Sequence, residues 1–230
     1  MPYSQIKLVS FDLDNTLYDN QPVIDLAEYK SKKYLQEEFK KQSQPFDYQK
    51  LIRIKKELVN FEQQGSSREK FQYENLSKLR KDALFEFCNQ LNNYSEIIEK
   101  AFEIFINYRN KVDIDSLVVD LLEKISENYL MVSVTNGNCD VTKLEVGNLF
   151  SKNYSPVGGY RAKPHPQMLK QIFDDFTLKP QQVLHIGDRN DSDGLAAQKA
   201  GCYYYQLDPF IDGKLNQEVL IKFTQDLKIQ

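Results

Sequence analysis

The first half of the chain carries apolar residues at helical spacing. Residues three or four apart are apolar in four successive stretches, which begin at Ile24, Leu51, Leu76 and Ile97. Residues with this spacing share one face of an α-helix, so the pattern predicts amphipathic helices with polar residues on the opposite face. We therefore expect a helical module that covers roughly residues 20 to 110.

A different pattern surrounds this module. Four short runs rich in branched or aromatic residues are typical of buried strands, and they cover 6–11, 129–134, 182–186 and 202–207. Segments with helical spacing lie between these runs, as at 164–176 and 190–200. Alternating strands and helices predict an α/β fold, a doubly wound, Rossmann-like parallel sheet with helices on both faces.

The helical module then becomes an insertion after the first strand. We expect an α/β core domain formed by residues 1–17 and 111–230, and an inserted helical domain formed by residues 18–110. The length of 230 residues suits one domain that carries an insertion.

Composition narrows the possible functions. The formal net charge of −3 and a pI near 5.6 argue against a broad nucleic-acid-binding surface. We find no apolar run long enough to span a membrane, and the first residues lack the apolar stretch of a signal peptide, so we expect a cytoplasmic protein without a membrane partner. Three widely separated cysteines and two histidines suggest neither a disulfide framework nor a cysteine- or histidine-built metal centre.

Polar motifs follow three of the predicted strands. The first strand runs into Asp12-Leu13-Asp14, the second into Thr135-Asn136-Gly137, and the third into Gly187-Asp188. The carboxyl ends of parallel strands lie along one edge of a sheet, so these segments should converge. At ~4 Å and an effective dielectric constant of about 20, each carboxylate pair would cost roughly 4 kcal/mol. A cation is expected there, and all-oxygen ligands favour Mg²⁺.

Each motif alone has an ordinary explanation as a turn or a helix cap. Their shared position at strand ends favours a catalytic site instead. Lys163, which precedes a predicted helix start at Pro164, could reach this site and balance phosphate charge, with Arg161 as its competitor. His165, between two prolines, reads as structural, and His185, inside a strand, as a core residue or one that supports the site.

In order and spacing, these motifs resemble the four motifs of the haloacid dehalogenase superfamily of phosphohydrolases. The helical insertion resembles the type 1 cap of that superfamily, and the resemblance covers nearly the whole chain. The extended first motif, residues 11–20, is most similar to bacterial phosphatases that act on FMN and on the phosphorylated riboflavin precursor.

The resemblance implies a role for each motif residue. Asp12 would attack phosphorus and form an aspartyl-phosphate, and Asp14 would protonate the leaving alcohol and later activate water. Thr135 and the backbone amide of Asn136 would hold phosphoryl oxygens, and Lys163 would neutralise their charge.

The resemblance also implies a metal site. Mg²⁺ would be held by Asp12, the backbone carbonyl of Asp14 and Asp188. Asp193 would orient the metal-bound waters or Lys163. Asp191 is the alternative for that role, because the two acidic residues lie only two positions apart.

Other functions share these motifs or this scaffold. A haloacid dehalogenase would use Asp12 on carbon without metal, but the dehalogenases of the family lack an acid at the position of Asp14. Phosphosugar mutases and phosphonatases have the same core motifs, so phosphoryl transfer to a sugar stays open. A non-catalytic interaction protein on the same scaffold would not need to keep all of the motif residues, which are Asp12, Asp14, Thr135, Lys163 and Asp188. The motifs GxSxG, GxxxxGK[ST] and GxGxxG are absent from the sequence, which removes their enzyme classes as rivals.

The expected substrate is a small phosphorylated metabolite, such as FMN or the phosphorylated ribitylaminouracil precursor, with nucleoside monophosphates and sugar phosphates as alternatives. Aromatic residues could line the substrate space, although most aromatics of the insertion should be core; candidates are Tyr18, Phe46, Phe71 and Tyr73. The sequence leaves the oligomeric state open.

Overall fold

The computed structural model describes residues 5–64 and 71–227, and it divides the chain into two compact units. The first unit comprises residues 1–21 and 112–230, and the second comprises residues 22–111. The divisions thus follow Gln21 and Lys111, whereas the sequence pattern places them after residues 17 and 110.

The first unit is built on a five-stranded parallel sheet. Its strands, in the spatial order β3-β2-β1-β4-β5, are β1 (Leu8–Phe11), β2 (Leu130–Val134), β3 (Lys152–Tyr154), β4 (Val183–Gly187) and β5 (Tyr203–Gln206). Every residue of β1 and β4 is buried. The central pair is therefore covered on both faces, as parallel strands usually are.

Alternate residues of the strands enter two apolar clusters on opposite faces. Val9 and Phe11 pack with helices α5 (Ser116–Ser126) and α8 (Gln217–Leu227), because residues two apart on a strand share a face. Leu8 packs on the other face with helices α6 (Gln167–Phe176) and α7 (Leu195–Ala200). The predicted doubly wound α/β fold is confirmed.

Some elements differ from the predicted ones. The edge strand β3 is absent from the sequence prediction, as is a short antiparallel pair, β6 (Phe210–Ile211) and β7 (Lys214–Leu215). The helix expected over 190–200 begins with one π-helical turn, Asn190–Gly194, before α7. This π-helical turn follows β4 and contains two of the candidate site residues, Asp191 and Asp193.

The second unit consists of long helices. They are α1 (Asn20–Lys41), whose first two residues belong to the first unit, α2 (Tyr48–Gln64), α3 (Leu76–Cys88) and α4 (Tyr94–Arg109). Phe39 stacks on Phe87 at a ring-centroid distance of 4.9 Å, and Phe46 packs edge-on against Phe39 at 5.4 Å. Phe46 is therefore a core aromatic. Across the described ranges, no helix combines the length and apolar character needed to cross a membrane.

A charged cluster joins three helices of this unit. The Glu28 carboxylate of α1 pairs with Arg80 of α3, accepts a hydrogen bond from the Tyr48 hydroxyl of α2 at 2.5 Å, and lies 3.2 Å from the Lys55 ammonium. The Arg80 guanidinium also lies over the Phe105 ring, at 3.3 Å from its centroid. Burial alone would raise the pKa of Glu28, but Arg80, Lys55 and Tyr48 together lower it to about 2.

Candidate active site

The turn that follows β1 carries Asp12 and Asp14. The Asp12 backbone N–H donates to the Ile186 carbonyl at 2.8 Å, so Asp12 extends the pairing of β1 with β4. Its side chain is buried, whereas Asp14 is half-buried. The Tyr18 hydroxyl donates to Asp14 Oδ1 at 2.7 Å. Both acids of the first motif therefore lie at the carboxyl edge of the sheet.

The loop that follows β2 positions two more candidates. The Thr135 N–H donates to the Tyr154 carbonyl at 3.0 Å, and Thr135 Oγ1 accepts from the Gly137 N–H at 2.9 Å. Asn136 Nδ2 donates to the Lys163 carbonyl at 2.8 Å, and Asn136 Oδ1 accepts from the Lys163 N–H at 2.7 Å. The Asn136 side chain thus fixes the backbone at Lys163.

Lys163 is the centre of the site. Its side chain is only 1% exposed, and its ammonium contacts Asp12 Oδ1 at 2.8 Å, Asp193 Oδ1 at 2.5 Å and the Val134 carbonyl at 2.6 Å. Three acceptors match the three hydrogens of an ammonium group. Lys163 is therefore held in one orientation against Asp12.

Two buried polar residues, His185 and Ser10, connect Asp193 to strand β1 through successive contacts. His185 Nε2 lies 3.0 Å from Asp193 Oδ1, and His185 Nδ1 lies 2.9 Å from Ser10 Oγ. Burial lowers the pKa of His185. Because the Asp193 carboxylate only accepts hydrogen bonds, the His185 Nε2 that faces it is the donor. The Arg189 N–H donates to Asp193 Oδ2 at 3.2 Å.

The structure distinguishes the acidic residues that follow β4. Asp193 lies beside Lys163, whereas Asp191 pairs with Arg189 at 2.8 Å in a contact where both side chains are more than 60% exposed. Asp188 is half-buried, and its carbonyl accepts from Gln206 Nε2 at 3.0 Å. The geometry thus brings Asp188 and Asp193 to the site and leaves Asp191 at the surface.

Burial, the neighbouring carboxylates and Lys163 shift the pKa values of the acidic residues in different directions. Burial raises the pKa of Asp12 to about 7; Lys163 opposes this shift, and the neighbouring Asp193 and Asp14 add to it. Burial and the charge of Asp193 raise the pKa of Asp188 to about 6. Asp193 itself, despite its burial, has its pKa lowered by Lys163 and His185. One buried ammonium therefore does not balance three carboxylates.

The donor set of this cluster fits a hard divalent cation. Asp12, Asp188 and Asp193 each offer a carboxylate oxygen, and these oxygens lie within 4.8 Å of one another. Carboxylate oxygens are the preferred ligands of Mg²⁺. Because Asp193 Oδ1 already binds Lys163 and His185, Asp12 and Asp188 are the better candidates for direct ligands.

Sequence reasoning missed one contributor, Ser10, and gave another, Tyr18, a different role. Ser10 lies within β1 as an ordinary buried strand residue, and only its register opposite His185 reveals its contact. Tyr18 is a core residue, 1% exposed, rather than an aromatic that lines a substrate space. No signal in the sequence separates Ser10 from other strand residues.

The acidic cluster and the buried lysine lie at the carboxyl edge of a parallel sheet, which is where α/β proteins of this class usually bind their ligands. The family model described as "Hydrolase: haloacid dehalogenase-like hydrolase" matches residues 6–201. The chain belongs to the haloacid dehalogenase-like hydrolases, and the predicted superfamily is confirmed.

This chain is similar to two curated phosphatases over most of their length. The 5-amino-6-(5-phospho-D-ribitylamino)uracil phosphatase of Escherichia coli is 24% identical over 204 residues, which cover 87% of this chain and 82% of the relative. The glyceraldehyde 3-phosphate phosphatase of Pyrococcus furiosus is 27% identical over 203 residues, which cover 86% of this chain and 78% of the relative.

The fold of this chain is also similar to that of a solved structure. The 2-haloacid dehalogenase of Pseudomonas syringae superposes with a TM-score of 0.79 at 26% identity, and the match covers 95% of this chain and 99% of that chain. Fold similarity therefore extends to an enzyme whose name states another reaction, and the reaction must be argued from the site residues.

Proposed function

We propose that this protein is a Mg²⁺-dependent phosphomonoester hydrolase that works through an aspartyl-phosphate on Asp12. The observation that carries the proposal is the buried contact between Asp12 and the Lys163 ammonium, with Asp188 and Asp14 nearby at the same sheet edge. Two relatives named as phosphatases support the reaction class.

In the first step, an Asp12 carboxylate oxygen attacks phosphorus while the bond from phosphorus to the leaving oxygen breaks. Protonated Asp14 gives its hydrogen to that oxygen, which leaves as an alcohol. The Thr135 hydroxyl and the Asn136 backbone amide donate to phosphoryl oxygens. Lys163 favours the ionised form of Asp12 and stabilises the negative charge on the transferring group.

In the second step, water attacks the phosphorus of the aspartyl-phosphate. Asp14, now a carboxylate, takes a proton from that water as the bond between phosphorus and Asp12 breaks. Inorganic phosphate leaves and both aspartates return to their starting states. The intermediate divides one difficult displacement into two easier ones.

The proposed Mg²⁺ ligands are Asp12, the Asp14 carbonyl and Asp188, with Asp193 holding Lys163 rather than binding the ion directly. When bound, the cation supplies positive charge that stabilises the phosphoryl oxygens during transfer. This arrangement agrees with the raised pKa values of Asp12 and Asp188, because a bound cation would offset both the burial and the neighbouring negative charge that raise them.

The proposed substrate is a small phosphorylated metabolite. FMN and the phosphorylated ribitylaminouracil precursor are our first candidates, supported by the extended first motif and by the name of the Escherichia coli relative. We further propose that residues 18–110 form a cap that selects the leaving group. A small phosphorylated aldehyde is the alternative, in keeping with the name of the Pyrococcus furiosus relative.

Phosphate release from p-nitrophenyl phosphate tests the proposal. We expect turnover with added Mg²⁺ and its loss after chelation, and we expect Asp12→Asn to lower kcat by roughly 10⁴-fold or more, because an amide does not replace the nucleophile. Asp191→Asn, at the exposed pair with Arg189, is the matched control and should retain activity. Substantial turnover by a folded Asp12→Asn variant would contradict the mechanism.

Dehalogenation is the second candidate, because the similar Pseudomonas syringae structure is named a 2-haloacid dehalogenase. Asp14 and Asp188 argue against it, since attack on carbon requires neither a second acid at the leaving group nor a metal. Chloride release from L-2-chloropropionate by the same preparation, independent of Mg²⁺ and without phosphatase activity, would favour dehalogenation.

A further inference from the structure

Tyr18 joins the apolar core of the first unit to the acid that the mechanism uses for proton transfer. Its ring is 1% exposed and lies in the apolar cluster that includes Phe11, Leu13 and Leu17. Its hydroxyl donates to Asp14 Oδ1 at 2.7 Å. A core side chain therefore reaches the half-buried carboxylate of Asp14.

The backbone between these two residues is held in one conformation. Asn15 has a φ of 62°, and its N–H donates to the Tyr18 carbonyl at 2.9 Å. The Leu17 N–H donates to the Leu13 carbonyl, also at 2.9 Å. The turn and the buried ring together place the Tyr18 hydroxyl against Asp14 Oδ1.

We propose that Tyr18 is a positioning residue that selects which oxygen of Asp14 transfers the proton; this inference rests on the proposed phosphatase function. Because Oδ1 accepts the hydroxyl hydrogen of Tyr18, the proton that Asp14 carries belongs on Oδ2. That proton passes to the leaving oxygen as the bond to phosphorus breaks. In the second step, the same oxygen takes one proton from the attacking water.

This role has a consequence that a merely structural role lacks. A leaving group that departs readily as an anion gains little from Asp14, whereas a poor leaving group depends on it. Loss of the Tyr18 hydroxyl should therefore slow the enzyme according to the leaving group. A general loss of structure would slow all substrates alike.

The test compares Tyr18→Phe with the wild-type protein on p-nitrophenyl phosphate and phenyl phosphate, which differ only in the nitro group. We expect kcat/KM to fall about tenfold on phenyl phosphate and less than about twofold on p-nitrophenyl phosphate. The ratio kcat/KM is used because it reports the steps up to alcohol release. Tyr205→Phe, whose hydroxyl contacts the exposed Asp226 at 2.8 Å, is the matched control and should change neither value.

A double-mutant cycle with Asp14→Asn makes the test specific. If Tyr18 acts through Asp14, adding Tyr18→Phe to Asp14→Asn should leave kcat/KM on phenyl phosphate unchanged. An equal loss on both substrates, or a further loss in the Asp14→Asn background, would overturn the inference and leave the phosphatase function standing. A folded wild-type protein without turnover on either substrate would instead overturn the proposed function, and the inference with it.

Discussion

Lys163 is the residue whose contacts constrain the site most. Its ammonium binds Asp12, Asp193 and a backbone carbonyl, and its pKa is raised because those two carboxylates outweigh the effect of burial. We expect Lys163→Ala to lower kcat more than it raises KM, because charge on the transferring group is stabilised mainly in the transition state. Steady-state kinetics on p-nitrophenyl phosphate measure both constants.

Arg161→Ala is the comparison for this variant, since Arg161 was the competing cation in the sequence. We expect a much smaller effect on kcat. Lys163→Ala also leaves Asp12 and Asp193 buried without their cation, so thermal unfolding must be recorded alongside the kinetics. A larger kcat loss in Arg161→Ala than in a folded Lys163→Ala protein would assign the role to the other cation.

The sequence predicts which residues lie at the strand ends, but it does not predict the buried contacts within the strands that support them. Asp12, Thr135 and Asp188 follow hydrophobic runs, so the general geometry of a parallel sheet brings them together. The contact between Ser10 and His185 depends on the register of β1 against β4, which the sequence pattern does not specify. The contacts that hold the site's side chains in place could therefore be found only in the structure.

Among the strands of the sheet, four were predicted from the sequence and the edge strand β3 was not. Strands β1, β2 and β4 consist mostly of buried residues, and burial on both faces produces their branched, apolar pattern. Strand β5, at the other sheet edge, is only half-buried, but its three consecutive tyrosines still predict a strand. Strand β3, with the sequence Lys152-Asn153-Tyr154, is three residues long and lies at the sheet edge, and its first residue is exposed. A short edge strand carries too few apolar residues to be separated from a loop.

Helices α1, α2 and α3 share an ionic contact whose effect on stability depends on pH. Glu28 has a pKa of about 2 in the folded protein against an ordinary value of 4.5. The unfolded state therefore binds more protons between these values, so Glu28 adds roughly 3 kcal/mol of stability above pH ~4.5, and this contribution is lost as pH falls towards 2. Urea unfolding of wild-type and Glu28→Gln proteins from pH 2.5 to 7 measures it.

The difference between the two proteins should be largest near pH 7 and shrink as Glu28 is protonated. Glu99→Gln is the matched control, because Glu99 pairs with Lys81 at 2.8 Å with its side chain 64% exposed. Exposed pairs contribute little, so this variant should unfold like the wild-type protein at every pH. A Glu28→Gln difference that does not change with pH would contradict the assigned pKa.

Across the whole molecule, the proposed chemistry belongs to one unit. Asp12, Asp14, Thr135, Lys163 and Asp188 all lie within residues 1–21 and 112–230. The helical unit, residues 22–111, supplies none of these candidate residues. Catalysis and choice of leaving group can therefore be examined separately, the first by variants of the sheet edge and the second by a panel of substrates.

The leaving group that the enzyme prefers should follow an order among three groups of substrates. The extended first motif resembles flavin-pathway phosphatases, and the Escherichia coli relative is named for a phosphorylated ribitylaminouracil. We therefore expect the flavin-pathway phosphates proposed above to give the highest kcat/KM, followed by nucleoside monophosphates, with simple sugar phosphates lower. Phosphate release measured across these three groups decides the order. A sugar phosphate that leads by tenfold, about 1.4 kcal/mol of transition-state discrimination, would reject the flavin-pathway substrates while leaving the assignment of Asp12 and Lys163 intact.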